Sequence, residues 1–242
     1  MAKNNIWMSV SDLMTGLMVI FLFIAIAYMI RVRDDISEYK DTKEELYFKL
    51  KNKFSDSEIA NGTISVNPDL SMRFLQATTQ FSSGQRTLPL SFELTLDTIM
   101  PKYLDVLVNL NDTLKSKLKE IRIEGHTDDI GFPSIHSDPY RANLILSQER
   151  ARNVLFHILD IIDERNYDES DKLLLQHLLP ANGYSYSRAL DSIGNEVYGT
   201  SNAIDKDKSR RVEIRIITDE KAVLEKLIKN LIKTCLNQKK IK

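Results

Sequence analysis

The amino-acid sequence predicts an α+β domain carried on a single N-terminal transmembrane helix and a helical stalk. Three observations predict it. Leu13 to Ile30 holds no charged residue, mixed-sign charge at helical spacing follows from Arg31, and from Thr63 onward short β-rich runs alternate with amphipathic helical ones. Composition agrees. A hydrophobic share of 43% and a charged share of 28% are those of an ordinary folded protein with room for one membrane span at most. The 33 Lys and Arg against 34 Asp and Glu leave a formal charge of -1, which sets aside direct nucleic-acid binding through bulk charge. The single Cys235 rules out an internal disulfide framework and is most simply a packed thiol on a helix.

Residues 1–5 form a short N-terminal tail and 6–30 the span. A bilayer core of about 30 Å needs about 20 helical residues, and the apolar run from Ile6 is long enough, broken only by Asp12. Three readings of that acid stand side by side. The helix can begin at Leu13 with Asp12 as an interfacial N-cap. The run can be a signal peptide ending near Ala25-Ile26-Ala27, although its leading region has only Lys3 as a basic residue. Or the helix begins near Ile6, with Trp7 at the aqueous boundary and Asp12 about two turns inside. Ser9, Asp12, Thr15 and Gly16 then share one face, a polar and small-residue stripe able to pack on other membrane helices. An acid at that depth costs several kcal/mol unless neutralised, paired or hydrated, so the third reading makes it an ion or proton site. Lys3 on one side and Arg31 and Arg33 on the other orient the span only weakly.

Residues 31–60 alternate acids and bases around Ile36, Tyr39, Leu46, Phe48 and Leu50, the pattern of a solvated helical stalk. Asn61 and Gly62 break it. In the domain that follows, 61–219, "TISVNP" and "MRFLQATTQF" predict strands, "LSFELTLDTIMPKYLDVLVNL" an amphipathic helix, and "KEIRIEGHTD" a strand running into a loop. A helix is expected from about Ser147 to Asp163, β segments in "LLLQHLLPANGYSYS" and "RRVEIRIIT", and a closing amphipathic helix over 220–242. The helices are expected to cover one face of a mixed sheet. His126 is expected to pack a loop, and His136, His157 and His177 show no ligand spacing. With no nucleophile and base set and no metal cluster evident, the sequence gives no support to an enzyme or a resident cofactor.

"FSSG" at Phe81 to Gly84, "GHTDDIG" at Gly125 to Gly131, "NLILSQERARNV" from Asn143, "GYSYSRAL" from Gly183 and "SRRVEIRI" from Ser209 occur in order across Thr63 to Thr218. As an ordered set they resemble the OmpA-like peptidoglycan-binding family, the fold of MotB C-terminal domains. The resemblance implies that Asp128 takes the ammonium and Arg150 the carboxylate of the diaminopimelate stem, with hydrogen bonds from Thr127 and Asn143 and a contribution from Arg210. A zwitterionic carbon needs such a rigid acid and base pair, and a guanidinium pairs a carboxylate bidentately. Arg150 follows Ser147 at N-cap spacing, so a helix N-terminus is expected to favour the anionic group. Three departures stand out: Ser209 replaces the family's usual Asn, and "FPSIHSDPYRA" and the stretch from Leu190 to Lys208 are longer than the family pattern.

A helix with an intramembrane acid, a stalk and such a domain resembles the MotB-type stator subunits, and "SDLMTGLMVIFLF" resembles their entry into the membrane. The resemblance implies that Asp12 is the proton-accepting carboxylate, with transported H+ expected and Na+ open beside it. It also implies a homodimer of this chain inside a closed ring of about five polytopic ZorA- or MotA-like companions. The domain grips peptidoglycan outside the inner membrane, so the N-terminus is cytoplasmic and the domain periplasmic. The nearly absent tail fits the MotB-like subunits of Zorya anti-phage systems better than flagellar stators, whose tails are longer and basic. A passive wall anchor is the alternative from another class.

Overall fold

The computed structural model describes residues 3–54, 58–59, 63–74 and 81–219. Helix α1 (Lys3–Lys53) is uninterrupted. The residues up to Thr42 and the segment Lys43–Asp219 fall in different compact units. In the first, the side chains from Val10 to Ile30 are all exposed, and this is the one helix among the described residues long and apolar enough to cross a membrane. The hydroxyl of Thr15 donates to the carbonyl of Ser11 at 2.8 Å, satisfying it within the helix as lipid requires. The helix already runs at Lys3, so Asp12 lies about 13 Å along it at 1.5 Å per residue. The N-cap reading of Asp12 is overturned.

In the second unit, strands β1 (Ile64–Val66), β2 (Ser71–Phe74), β3 (Leu118–Gly125), β4 (Ala181–Gly183) and β5 (Val212–Thr218) form one sheet in the order β1-β2-β5-β3-β4. Only β3 and β4 pair in parallel. A parallel pair needs a crossover, supplied here by α4 (Pro139–Glu164) and α5 (Glu169–Leu178). Between β2 and β3 lie α2 (Leu90–Val108) and the single turn α3 (Asp112–Lys115), and the turn α6 (Lys206–Ser209) precedes β5. Helix α2 buries Phe92, Leu96, Ile99, Met100, Tyr103, Leu104 and Leu107, a stripe at helical spacing. Phe92 meets Phe74 and Phe81 with ring centroids 5.1 and 5.8 Å apart. Every buried methylene here contributes about 0.8 kcal/mol. The short edge strand β4 is closed by Gln148, whose amide donates to Ala181 O at 3.0 Å and accepts from Gly183 N at 2.7 Å, in place of a further strand.

Several sequence expectations are corrected. The α4 helix begins at Pro139, not near Ser147, because Asp138 caps it by accepting from Arg141 N at 2.8 Å and Pro139 suits the first turn. Ser147 and Arg150 are therefore mid-helix, and the helix N-terminus does not lie at Arg150. Most of "LLLQHLLPANGYSYS" is helical: its apolar run belongs to α5, and only Ala181–Gly183 pairs as a strand. The stalk is not solvated to its end, since Leu46, Leu50 and Phe54 join the core. Residues 75–80 of the second expected strand, and the whole of 220–242 with Cys235, lie outside the described residues.

The sheet carries a second, charged layer. Glu124 and Glu213 face each other across β3 and β5 and are both fully buried, a like-charge pair that would be destabilising alone. Arginines offset it. Glu213 pairs with Arg211 at 2.6 Å, Arg73 at 2.8 Å and Arg215 at 2.9 Å, and Glu124 with Arg188 at 3.2 Å and Arg215 at 3.5 Å. His126 is buried in this layer, stacked on Tyr184 at 5.5 Å, with no hydrogen bond to either ring nitrogen among the described residues. Burial, and then Arg211, hold its imidazole well below the ordinary range. Burial works to raise the Glu213 carboxyl, but its arginines prevail and hold it below the usual carboxylate range.

Tyr103 is fully buried and its hydroxyl has no partner among the described residues, so Tyr103→Phe should raise stability by about 1 kcal/mol in urea unfolding. The unfolded chain protonates His126 before the folded one, so its contribution is complete above about pH 6.5 and falls as pH drops below that, by up to about 1.4 kcal/mol per pH unit. The contribution of Glu213 is complete above its unfolded value of 4.5 and is lost below it. Near-UV circular dichroism melts should show both phases, and His126→Gln should remove the upper one alone.

Candidate functional site

Helix α4 is pressed onto the ends of β3 and β4 so closely that only glycine fits beneath it. A Cβ on Gly125 would stand 2.1 Å from Ser147 O, and one on Gly183 2.4 Å from Gln148 N. Ser147 Oγ accepts from Ser185 N at 2.9 Å, Thr127 N donates to Ser185 O at 3.0 Å, and Tyr184 N donates to Gly125 O at 2.9 Å. The loop after β3, the loop after β4 and the middle of α4 are thereby fixed to one another. Asn143 and Arg150, on the same face as Ser147, are brought to the Thr127 and Asp128 loop.

The structure thus gathers Thr127, Asp128, Asn143, Arg150 and Arg210, while Asp12 belongs to the other unit. Asp128 is 1% exposed. One of its oxygens accepts from Ile130 N at 3.1 Å, and the other accepts from Arg210 Nη1 at 2.7 Å. Arg210 also pairs with the exposed Asp207 on α6. The sequence expectation set Asp128 and Arg150 as opposite poles and gave Arg210 a lesser part; the ion pair the structure records is between Asp128 and Arg210.

Arg150 is 1% exposed, and two of its three nitrogens donate to protein carbonyls. Its Nε donates to Gln85 O at 2.9 Å, its Nη2 to Ser82 O at 3.0 Å, and its guanidinium lies 4.8 Å over the Phe81 ring. This explains "FSSG": the segment is the cradle of Arg150, a role its sequence did not disclose. Burial lowers the guanidinium to about 10, Asp128 opposing and Arg210 adding to the shift, so it stays cationic at neutral pH. Asn143 donates from Nδ2 to Ile130 O at 2.8 Å and Pro139 O at 3.1 Å, holding the loop onto α4.

What remains at this place is a set of buried polar atoms with no hydrogen bond among the described residues: Arg150 Nη1, Arg210 Nε, Thr127 Oγ1 and Asn143 Oδ1. A buried donor or acceptor left unmade costs about 1–3 kcal/mol. Two cationic donors, a hydroxyl and an amide oxygen around one carboxylate are the complement of a ligand carrying an ammonium and a carboxylate close together.

The neighbouring Glu124, His126 and Glu213 place potential ligand atoms within 4.8 Å of one another, a grouping their sequence separation hides except for the same-face spacing of Glu124 and His126. Both carboxylates are engaged by arginines, and a divalent cation would enter a field already crowded with guanidinium charge. The grouping is an ion-pair network that supports the loop from below.

No family model matches the chain. Among curated proteins it is 33% identical over 240 residues to the Zorya protein ZorB of the Crooks strain of Escherichia coli, covering 93% of each chain. A Zorya protein ZorB from a second Escherichia coli strain is 28% identical over 222 residues, covering 89% of this chain and 81% of the other. Solved structures match more distantly. A putative MotB-like protein from Desulfovibrio vulgaris is 18% identical, covering 77% of this chain and 98% of its own, with a TM-score of 0.44. The periplasmic domain of Helicobacter pylori MotB is 14% identical, covering 66% and 82%, with a TM-score of 0.41. The first of these relatives, matched along nearly its whole length, decides the family: the chain belongs to the ZorB proteins of Zorya systems.

Proposed function

We propose that this chain is the wall-anchored, ion-conducting stator-type subunit of a rotary complex in the bacterial inner membrane, acting in anti-phage defence with a ZorA-like polytopic companion. The observation that carries the proposal is the convergence of Asp128, Arg150 and Arg210 around buried polar atoms left without partners. The family membership and the apolar N-terminal helix support the membrane half. Gripping peptidoglycan requires the domain to be periplasmic and the N-terminus cytoplasmic, which outweighs the weak charge bias around the span.

The wall ligand is a diaminopimelate stem. Its ammonium replaces the Arg210 guanidinium at Asp128, and its carboxylate takes the free Nη1 of Arg150 together with the displaced Arg210. Arg210 exchanges one carboxylate for another, so the charge balance is kept throughout. The domain holds its ligand without transforming it, and the chain is not an enzyme in this reading.

In the membrane, Asp12 cycles between charged and neutral forms, sheltered by the companion ring and a second copy of this chain. One charge crossing 100 mV releases about 2.3 kcal/mol, which bounds the electrical work for each proton, or each sodium ion if that is the ion carried. With the pair of chains tethered to the wall, the ring turns around it.

Asp128→Asn keeps the shape of the loop and removes the charge, so sedimentation with purified peptidoglycan should weaken about 10- to 100-fold. Unchanged sedimentation would leave the Asp128 and Arg210 pair a loop fastener. Asp12→Asn should abolish ion flux and phage protection while membrane insertion and wall binding persist. Protection that survives Asp12→Asn would reduce the chain to a passive anchor.

A further inference from the structure

Tyr140, Asn143, Ser147 and Arg150 recur on α4 at helical spacing and share one face. Three of the four are buried, whereas Tyr140, on the first turn, is 42% exposed. Its ring meets that of Tyr186 edge to face, with centroids 5.4 Å apart and planes at 85°. The two form a corner at the rim of the site, and the backbone beneath them is tightly fixed. Ser185 adopts a left-handed conformation with φ 53°, a region that costs a residue with a side chain about 1–3 kcal/mol. It is held there by Ser147 Oγ on its N–H and by Thr127 N on its carbonyl, while its own hydroxyl donates to Tyr140 O at 3.0 Å. The hydrogen bonds that orient Thr127 beside Asp128 therefore also set the two tyrosines.

We propose that Tyr140 and Tyr186 form a second subsite, one that takes a pyranose ring of the glycan strand carrying the stem peptide. The inference rests on the peptidoglycan reading of the Asp128 and Arg150 site. An aromatic face is the negative part of its quadrupole and attracts the polarised C–H groups that a pyranose presents on one side. Exposed Asp138, Arg141 and Ser187 flank the pair in sequence; Asp138 Oδ1 caps α4 and the Ser187 hydroxyl donates to Tyr184 O, which leaves the Arg141 guanidinium to donate to sugar hydroxyls. The reach is suitable. Two residues separate the diamino acid from the sugar, roughly 7 Å of extended chain, and Tyr140 stands one turn of helix beyond Asn143 with its ring reaching further.

The test is calorimetry on the full chain in lipid nanodiscs with two probes: the free alanyl-isoglutamyl-diaminopimelate tripeptide, and the same tripeptide on its N-acetylglucosamine and N-acetylmuramic acid disaccharide. The wild-type chain should bind the disaccharide probe about tenfold more tightly. The double variant Tyr140→Ala with Tyr186→Ala should bind both probes alike, at the wild-type affinity for the free tripeptide, and Tyr186→Phe should keep the sugar advantage because the ring face is intact. Equal affinities in the wild-type chain would overturn the subsite without any variant needing to fold, as would a sugar advantage that survives in the double alanine variant. Failure of the wild-type chain to bind either probe would overturn the peptidoglycan reading itself, and the subsite with it.

Discussion

The domain depends on how closely the middle of α4 can approach the ends of β3 and β4. Gly125 and Gly183 leave no atoms where Ser147 and Gln148 must pass, and any Cβ there would stand within 2.4 Å of the helix backbone. The contact is more than packing. Because Ser147 receives the Ser185 N–H and Ser185 receives that of Thr127, the helix, the two loops and the two strand ends move as one piece. Asn143 reaches the Ile130 carbonyl, and Arg150 stands near Asp128, only while that contact holds.

A layer of buried charge lies behind the site and solves a different problem. Two glutamates at opposed positions on neighbouring strands ought to repel, and neither is exposed to water that would screen them. Arg73, Arg188, Arg211 and Arg215 supply the missing counter-charge, and His126, the residue just before Thr127, is held neutral among them. The site loop is thus seated on a network of buried ion pairs.

The sequence disclosed the parts whose signal is local. The uncharged run after Asp12, the amphipathic stripe of α2 and the β3 strand entering "GHTD" each follow from periodicity within one segment. It misled where signals were ambiguous or lay at a distance. The apolar run of α5 suits a buried strand as well as a helix, and only the crossover between two parallel strands decides it. Ser147 has the residue type of an N-cap, yet Asp138 and Pro139 start the same helix more than two turns earlier. The cradle that Ser82 and Gln85 make for Arg150 uses backbone carbonyls, which no residue identity reveals. The pairing of Asp128 with Arg210 joins residues 82 positions apart, beyond any spacing rule.

In the proposed stator reading the two units divide the work: one helix would offer an acid to the membrane, and the domain would offer the wall a carboxylate set among guanidiniums. In that reading Asp128 and Arg150 are desolvated and held by the protein before a ligand arrives, which lowers the ordering cost of binding, and Arg210 is the group that moves. The most direct measurement is a crystal structure of the domain with the diaminopimelate-containing tripeptide bound. The account predicts the ligand ammonium on Asp128, its carboxylate on Arg150 Nη1, and Arg210 turned from Asp128 toward the ligand. A ligand seated elsewhere, with the Asp128 and Arg210 pair intact, would contradict it.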